Sequence, residues 1–344
     1  FKQFNFLTHA DLGYDDSNIV VVNQTATHSK ASVVKRILLQ NPNIANVAAK
    51  NAGNNNTTAK ISNDSIIQFR YETVDERFLS ELKIPLIQGR GFSPNFPSDS
   101  NNSVIVNQAF VKEAGWDNPI GQAVNFIARD RDNKVFHVVG VVKDYHYASM
   151  NEPIGAQLFT MDNGNLLGDF YIKIKPNTES ESLKFIQKTF NELFPLTPYS
   201  YKFKNDENRM QYSDIEKWRQ IVLLGAILTI FISLIGLFGL SVLSSEKRKK
   251  EIGIRKVYGA SVKSIVRLLT SDFLGLVLLS LIISAPLAWL AAKKFLQSIL
   301  YKIPLTFQLF LVPDLMILLF AFITIYIQTN KSARANPIKS LKTE

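Results

Sequence analysis

Hydrophobic and polar positions are arranged differently in the two halves of this 344-residue chain. In the first half, apolar residues alternate with polar ones over residues 18–23, 65–73, 133–142 and 169–175. That period of two sets one face of a strand against a core. Residues 29–40, 107–114 and 178–194 read as helices, and Asn107 and Thr178 stand where a side-chain oxygen can cap free backbone N–H groups. Together these elements predict an α+β domain whose sheet is covered on one face by helices. The Asn-rich stretch 51–58 reads as a flexible loop. Gly89-Arg90-Gly91 reads as a turn in which glycine takes positive φ, set against the sharper idea that Arg90 contacts a ligand.

The second half is patterned by long uncharged runs. Residues 221–243 and 273–292 carry no charged side chain, and each run has about the 20 residues that cross a bilayer as helix. A third run, 315–330, is shorter, but 303–313 before it is also uncharged, so three spans are expected. Small residues recur at helical spacing in the first span (Gly225, Thr229, Ser233, Gly236) and the second (Ser280, Ser284, Ala288, Ala292). Such stripes let helix backbones approach closely, within one molecule or across a dimer seam. Pro286 removes a backbone hydrogen bond inside the second span and is expected to bend it. No ionisable side chain lies within a span core, which argues against ion-coupled transport and places the energy source elsewhere.

Charge changes this picture when divided along the chain. The formal net charge is +10, yet residues 1–216 carry 22 basic and 24 acidic side chains, and residues 217–344 carry 17 and 5. The basic excess therefore flanks the spans, which fits Lys and Arg retained on the cytoplasmic side and argues against nucleic acid as a partner. Residues 244–263, between the first two spans, hold seven basic and two acidic side chains, and the tail adds Lys331, Arg334, Lys339 and Lys342. Both segments are expected inside, which puts residues 1–216 outside. The chain has no cysteine, so disulfides and thiolate metal sites are excluded. Residues 1–16 show neither the basic nor the apolar region of a signal peptide, so a further transmembrane helix is expected ahead of Phe1.

The basic loop is patterned as a short amphipathic helix. Glu246 with Lys250 and Glu251 with Arg255 stand in the favourable i, i+4 order, and Ile252, Ile254, Val257 and Tyr258 are its apolar members. Gly259 can end that helix and Ser261 can cap the next. The run Glu246-Lys-Arg-Lys-Lys-Glu-Ile-Gly-Ile-Arg-Lys-Val-Tyr-Gly-Ala260 resembles the cytoplasmic signature of MacB/FtsX-type ABC transporter permeases, with Lys247 where that family often has Arg. The tail 335–342 is similar to the family's terminal motif. Leu86-Ile-Gln-Gly-Arg-Gly-Phe92, Val104-Ile-Val-Asn-Gln-Ala109, Pro119-Ile-Gly121 and residues 138–146 resemble its extracytoplasmic domain.

The resemblance implies a MacB-like α+β extracytoplasmic domain with a terminal stalk over residues 1–216. It implies an all-α FtsX-like permease domain over 217–344, with transmembrane helices at about 221–243, 270–292 and 309–330 and a coupling loop at 244–263. It implies a multi-pass protein of the cell membrane, its C-terminus cytoplasmic, that works with a separate cytoplasmic ABC ATPase and a second permease unit, as a homodimer or a duplicated half. Contact with the ATPase would fall to Glu246, Arg248, Glu251, Ile252, Gly253, Ile254, Arg255, Lys256, Gly259 and Ala260. Residues 205–220 would be the stalk that carries motion outward, for export or mechanotransmission. A periplasmic or outer-membrane partner fits the same scheme. The alternative within the family is an FtsX-like regulator that controls a wall hydrolase or sensor and transports nothing.

Catalytic signals are sparse. The four histidines, His9, His28, His137 and His146, form no close metal-ligand pair. Asp144-Tyr145-His146 is the one suggestive acid and base cluster, and adjacent side chains point in different directions along a strand or loop, which favours a structural turn. Residues 259–264 lack the second glycine of a P-loop. The expectation is therefore a non-enzyme with no cofactor.

Overall fold

The structure, a computed structural model, describes residues 2–53, 55–61, 65–126, 135–148, 150, 152–297 and 300–334. It divides into an α+β unit, Leu7–Ser213, and a helical unit, Asp214–Glu344 with Phe1–Phe6. The tail motif 335–342 lies outside the described residues, as do Asn54 of the Asn-rich stretch and residues 133–134 of an expected strand.

In chain order the described strands are β1 (Ile19–Ala26), β2 (Ile44–Lys50), β3 (Asn55–Ile61), β4 (Ile66–Thr73), β5 (Leu86–Gly89), β6 (Ser103–Asn107), β7 (Ala123–Phe126), β8 (Val135–Val142), β9 (Gln157–Thr160), β10 (Leu167–Ile174) and β11 (Tyr201–Phe203). The helices are α1 (Lys2–His9), α2 (His28–Leu38), α3 (Phe78–Glu81), α4 (Gln108–Ala114), α5 (Glu179–Leu193), α6 (Lys204–Met210), α7 (Ser213–Lys247), α8 (Lys249–Val257), α9 (Val262–Gln297) and α10 (Gln308–Arg334).

The α+β unit holds two sheets where the alternation pattern predicts one. The first is antiparallel, in the order β11-β1-β10-β2. One face, with Val20, Val22, Val47, Phe170 and Ile172, packs on α2 and α5 through Val34, Leu38, Ile186 and Phe190. The other, with Ile19, Val21, Ala48 and Tyr171, packs on Val74, Ile105, Val142 and Phe159 of the second sheet region. Strands covered on both faces read as near-continuous apolar runs and lose the alternation that announces a half-buried strand. This is why β2, β6 and β9 escape the pattern, while β3 begins with Asn55, Asn56, Thr57 and Thr58 inside the expected loop 51–58 and runs on to Ile61.

The second sheet runs β5-β8-β6-β9-β4-β3-β7, and a further pairing joins β7 back to β8. Six strands thus form a closed ring, with β5 added alongside the far end of β8. Inward residues Phe69, Val104, Val124, Phe136 and Leu158 fill the ring together with Phe110 of α4, as side chains fill small closed sheets. Phe69 meets Phe110 edge to face at 5.3 Å, and Phe126 meets Phe136 at 4.9 Å.

The expected caps divide. Asn107 caps α4, its Oδ1 accepting from Phe110 N at 3.0 Å. Thr178 makes no side-chain cap bond to α5: its φ of −119° and ψ of 13° depart from the extended backbone of a capping residue, and its hydroxyl donates to Lys175 O at 2.7 Å. The expected stalk region 205–220 is two helices, α6 and the start of α7, separated at Gln211 and Tyr212. The buried Tyr212 hydroxyl accepts from Met150 N at 3.0 Å.

In the helical unit, α7, α9 and α10 are long and apolar enough to cross a membrane. Their exposed rows of Ile, Leu and Phe, such as Ile221, Leu224, Ile282 and Leu287, far exceed what a surface in water tolerates. At about 1.5 Å per residue, α7 and α9, of 35 and 36 residues, are longer than the ~30 Å hydrocarbon core. Their ends therefore project beyond it. Helices α9 and α10 pack along each other, and the buried hydroxyls of Thr270 and Thr329 lie 3.4 Å apart between them. Pro286 lies inside α9, and Pro313 inside α10.

Candidate coupling site

The connection between the first two long helices is a compact elbow. Helix α7 continues to Lys247, the chain turns at Arg248 (φ −94, ψ 10), and α8 begins at Lys249. The turn is held by Arg248 N donating to Ser244 O at 3.1 Å and Ile252 N donating to Arg248 O at 2.9 Å. Glu246 therefore sits in the last turn of α7, and the i, i+4 relation expected of Glu246 and Lys250 straddles the break. The other pair is present: Arg255 Nη2 lies 2.6 Å from Glu251 Oε1.

The end of α8 is set by Gly259, whose φ of +86° is the left-handed conformation that closes helices at glycine. Gly259 N donates to Lys256 O at 3.0 Å and Ala260 N to Arg255 O at 2.9 Å, so last-turn carbonyls are satisfied. Ser261 Oγ then accepts from Ser264 N at 3.2 Å and opens α9, the cap that residue type favours.

The apolar members of α8 do not share one fate. Ile252 turns inward with Ala260 and Val262 onto Ile265, Val266 and Leu269 of α9, and Gly253 is buried beside it. Ile254, Val257 and Tyr258 face outward, 50%, 68% and 87% exposed. Their i, i+3, i+4 spacing places them on one face of the helix. The elbow thus offers a free apolar row beside the half-exposed Glu251–Arg255 pair and the exposed Lys249 and Lys250. Lys256 is half-buried.

One partner escaped sequence reasoning. Arg248 Nη1 forms an ion pair at 2.7 Å with Asp272 Oδ2 on α9, tying the elbow to the second long helix. The pair is 24 residues apart in sequence, beyond any helical spacing. Its one signal is that Asp272 is the sole acidic residue between Glu251 and Asp314.

Other expectations resolve differently. Arg90 is engaged by Asp99, with Nη1 and Nη2 at 2.7 and 2.8 Å from its two carboxylate oxygens, and this bidentate pair braces the turn in which Gly89 has φ +72°. Asp144 accepts from Ala109 N at 2.9 Å at the start of α4; burial pushes its carboxyl up despite the backbone hydrogen bonds from Ala109 and Gln108. Tyr145 is buried, its hydroxyl accepting from Gln157 Nε2 at 3.0 Å. Asp144, Tyr145 and His146 lie in the irregular segment that follows β8. The small-residue stripes of the first two spans lie exposed, except for the half-buried Ala292, so packing among the described residues does not account for them. Among the described residues, no group of three His, Cys, Asp or Glu could hold a metal ion.

Two family models match the chain: the MacB-like periplasmic core domain over residues 2–185 and the FtsX-like permease C-terminal domain over 223–337. The macrolide export ATP-binding/permease protein MacB of Aggregatibacter actinomycetemcomitans is 24% identical over 212 residues, covering 58% of this chain and 32% of that protein. The chain therefore spans about a third of that relative's length. Among solved structures, the periplasmic region of MacB from Actinobacillus actinomycetemcomitans aligns with a TM-score of 0.45 and 14% identity, covering 59% of this chain and 96% of that one. The extracellular domain of the noncanonic ABC-type transporter YknZ from Gram-positive bacteria aligns with a TM-score of 0.43 and 12% identity, covering 54% and 98%.

Proposed function

The chain belongs to the family of permeases in which a MacB-like periplasmic core domain is joined to an FtsX-like permease domain, and from that membership we propose that it transmits the work of a cytoplasmic ABC ATPase to residues 1–216 across the membrane. The observation that carries this reading is the outward apolar row Ile254, Val257 and Tyr258 on a short helix between two long apolar helices. An amphipathic helix with such a row suits a groove on a partner protein, and the basic side chains around it favour the cytoplasmic side.

In this reading the ATPase grips α8, and its cycle tilts α7 and α9 through the elbow. The tilt moves the extracytoplasmic domain, in export or in extraction from the outer leaflet. The name of the MacB relative joins ATP-binding and permease roles; here the ATPase is proposed as a separate partner. The stripe Gly225, Thr229, Ser233 and Gly236, exposed on α7, supports a second permease unit packing there by close backbone approach.

Affinity capture of the membrane-extracted chain is expected to recover an ATPase subunit. Joint replacement of Glu251, Gly253 and Arg255 should weaken that recovery tenfold or more, about 1.4 kcal/mol of binding. A complex that stays intact in this variant overturns the assignment of α8.

A further inference from the structure

The α+β unit contains a cavity of about 630 Å³, within the ~300–1,000 Å³ typical of small-molecule sites. It opens where Asn23, Lys50 and Asp169 of the first sheet approach Arg70 and Glu72 of β4. The junction beside it is packed with aliphatic and aromatic side chains, so the polar lining is a local departure from the packing around it.

The lining is built of buried charge. Glu72, Lys50, Asp169 and Lys204 are 2%, 6%, 8% and 9% exposed. Burying such groups costs several kcal/mol per ion unless each is well paired. Glu72 is well paired, its Oε1 lying 2.7 Å from Arg70 and 3.3 Å from Lys50 Nζ. Asp169 is not. A carboxylate can accept about four hydrogen bonds, and among the described residues Asp169 accepts one, from Asn23 Nδ2 at 2.6 Å. Burial pushes its carboxyl above the ordinary range, against the pull of Lys50 and Asn23. Its remaining acceptor capacity faces the cavity.

The chemistry of the walls narrows the ligand. Three cations (Lys50, Arg70, Lys204) stand against four carboxylates (Glu72, Glu152, Asp169, Glu207), so a ligand of strong charge of either sign meets opposition. Two side-chain pairs, Asn23 with Asp169 and Lys204 with Glu207 at 2.7 Å, each set a donor beside an acceptor. Neighbouring hydroxyls on one molecule satisfy that pattern, because each hydroxyl both donates and accepts. The half-buried Tyr14 and Tyr147 add apolar surface, joined through Tyr145 by edge contacts of 5.6 and 5.9 Å. An uncharged molecule with adjacent hydroxyls and an apolar ring face has both features.

We propose that this cavity binds a neutral saccharide of one or two rings. The proposal is independent of ATPase coupling and would stand if α8 docked nothing. Its test uses the full chain in nanodiscs, since alkyl-glycoside detergents would compete for the site. Saturation-transfer NMR is recorded with maltose, cellobiose and N,N′-diacetylchitobiose as probes and alanylalanine as the zwitterionic control. Transfer to at least one disaccharide is expected, with affinity reduced tenfold or more by Asp169→Asn. Tyr147→Ser, at a half-buried position, carries the same expectation if the first variant fails to fold. Absence of transfer to all three sugars, transfer to the dipeptide alone, or undiminished transfer in the folded variants overturns the proposal.

Discussion

At the scale of single residues, Glu72 contributes to the acid response of the α+β unit. Burial opposes its ionisation, yet Lys50 and Arg70 together hold its carboxyl below the ordinary range. A depressed pKa means stability that is fully present above the unfolded value of about 4.3 and is lost as pH falls toward the folded value. Asp169, pushed up by burial, works in the opposite sense and gains stability as pH falls through its raised pKa. Glu72→Gln should therefore cost about 3 kcal/mol at pH 7, since it leaves two buried cations without their anion. It should also flatten the loss of stability below about pH 4.3, where the unfolded carboxyl takes up a proton that the folded one still refuses. Thermal unfolding followed across pH 7 to 3 checks both, and an unchanged acid limb removes Glu72 from the account. Gly89 gives a second residue-scale prediction. Its φ is +72°, and an added Cβ would collide with the carbonyl oxygen of Val139, whereas Gly121, at φ +85°, has open space. Gly89→Ala should cost about 3 kcal/mol, adding overpacking to the left-handed penalty, and Gly121→Ala about 1 kcal/mol from conformation alone. Equal shifts in unfolding midpoint for the two would discount the clash.

Among elements, what the sequence made legible was what local chemistry writes into adjacent residues. The three apolar helices, the Asn107 cap, the stop at Gly259 and the cap at Ser261 each depend on side chains within a few positions of one another. The pattern also showed β1, β4, β8 and β10, where alternation or apolar runs were long. It did not show the second sheet, because closure of the ring rests on β7 meeting β8, a pairing that no local period encodes. The elbow divides in the same way. Its helix and its end are local, but the outward turn of Ile254, Val257 and Tyr258 follows from Ile252 packing on α9, and the Arg248–Asp272 pair crosses 24 residues. That pair is about half exposed, so it is worth up to about 1 kcal/mol, enough to change the coupling between elbow and α9 roughly fivefold. Asp272→Asn should lower permease-stimulated ATP turnover by up to that factor in a reconstituted complex. Exchanging the charges, Arg248→Asp with Asp272→Arg, should restore it. If the exchange variant stays as impaired as the single one, the ion pair has no part in transmission.

For the whole molecule, the decisive quantity is the division of charge. With 17 basic and 5 acidic side chains, residues 217–344 carry a net +12, while residues 1–216 carry −2. Basic segments resist translocation, so the elbow should stay inside and the α+β unit should lie outside, which a mechanism driven by a cytoplasmic ATPase requires. A transporter and a regulator of an outer enzyme would share this arrangement, because both need force to enter at α8 and leave on the other side. The absence of native cysteine makes the arrangement directly measurable, since any introduced thiol is the chain's sole label. Leu196 is 97% exposed in the α+β unit and Tyr258 is 87% exposed at the elbow, so neither substitution disturbs a core. In intact cells stripped of any outer barrier, a membrane-impermeant maleimide should label Leu196→Cys. Tyr258→Cys should react only after permeabilisation. Labelling of Tyr258→Cys from outside would place the elbow beyond reach of a cytoplasmic ATPase, and the force path proposed for α8 would then have no source.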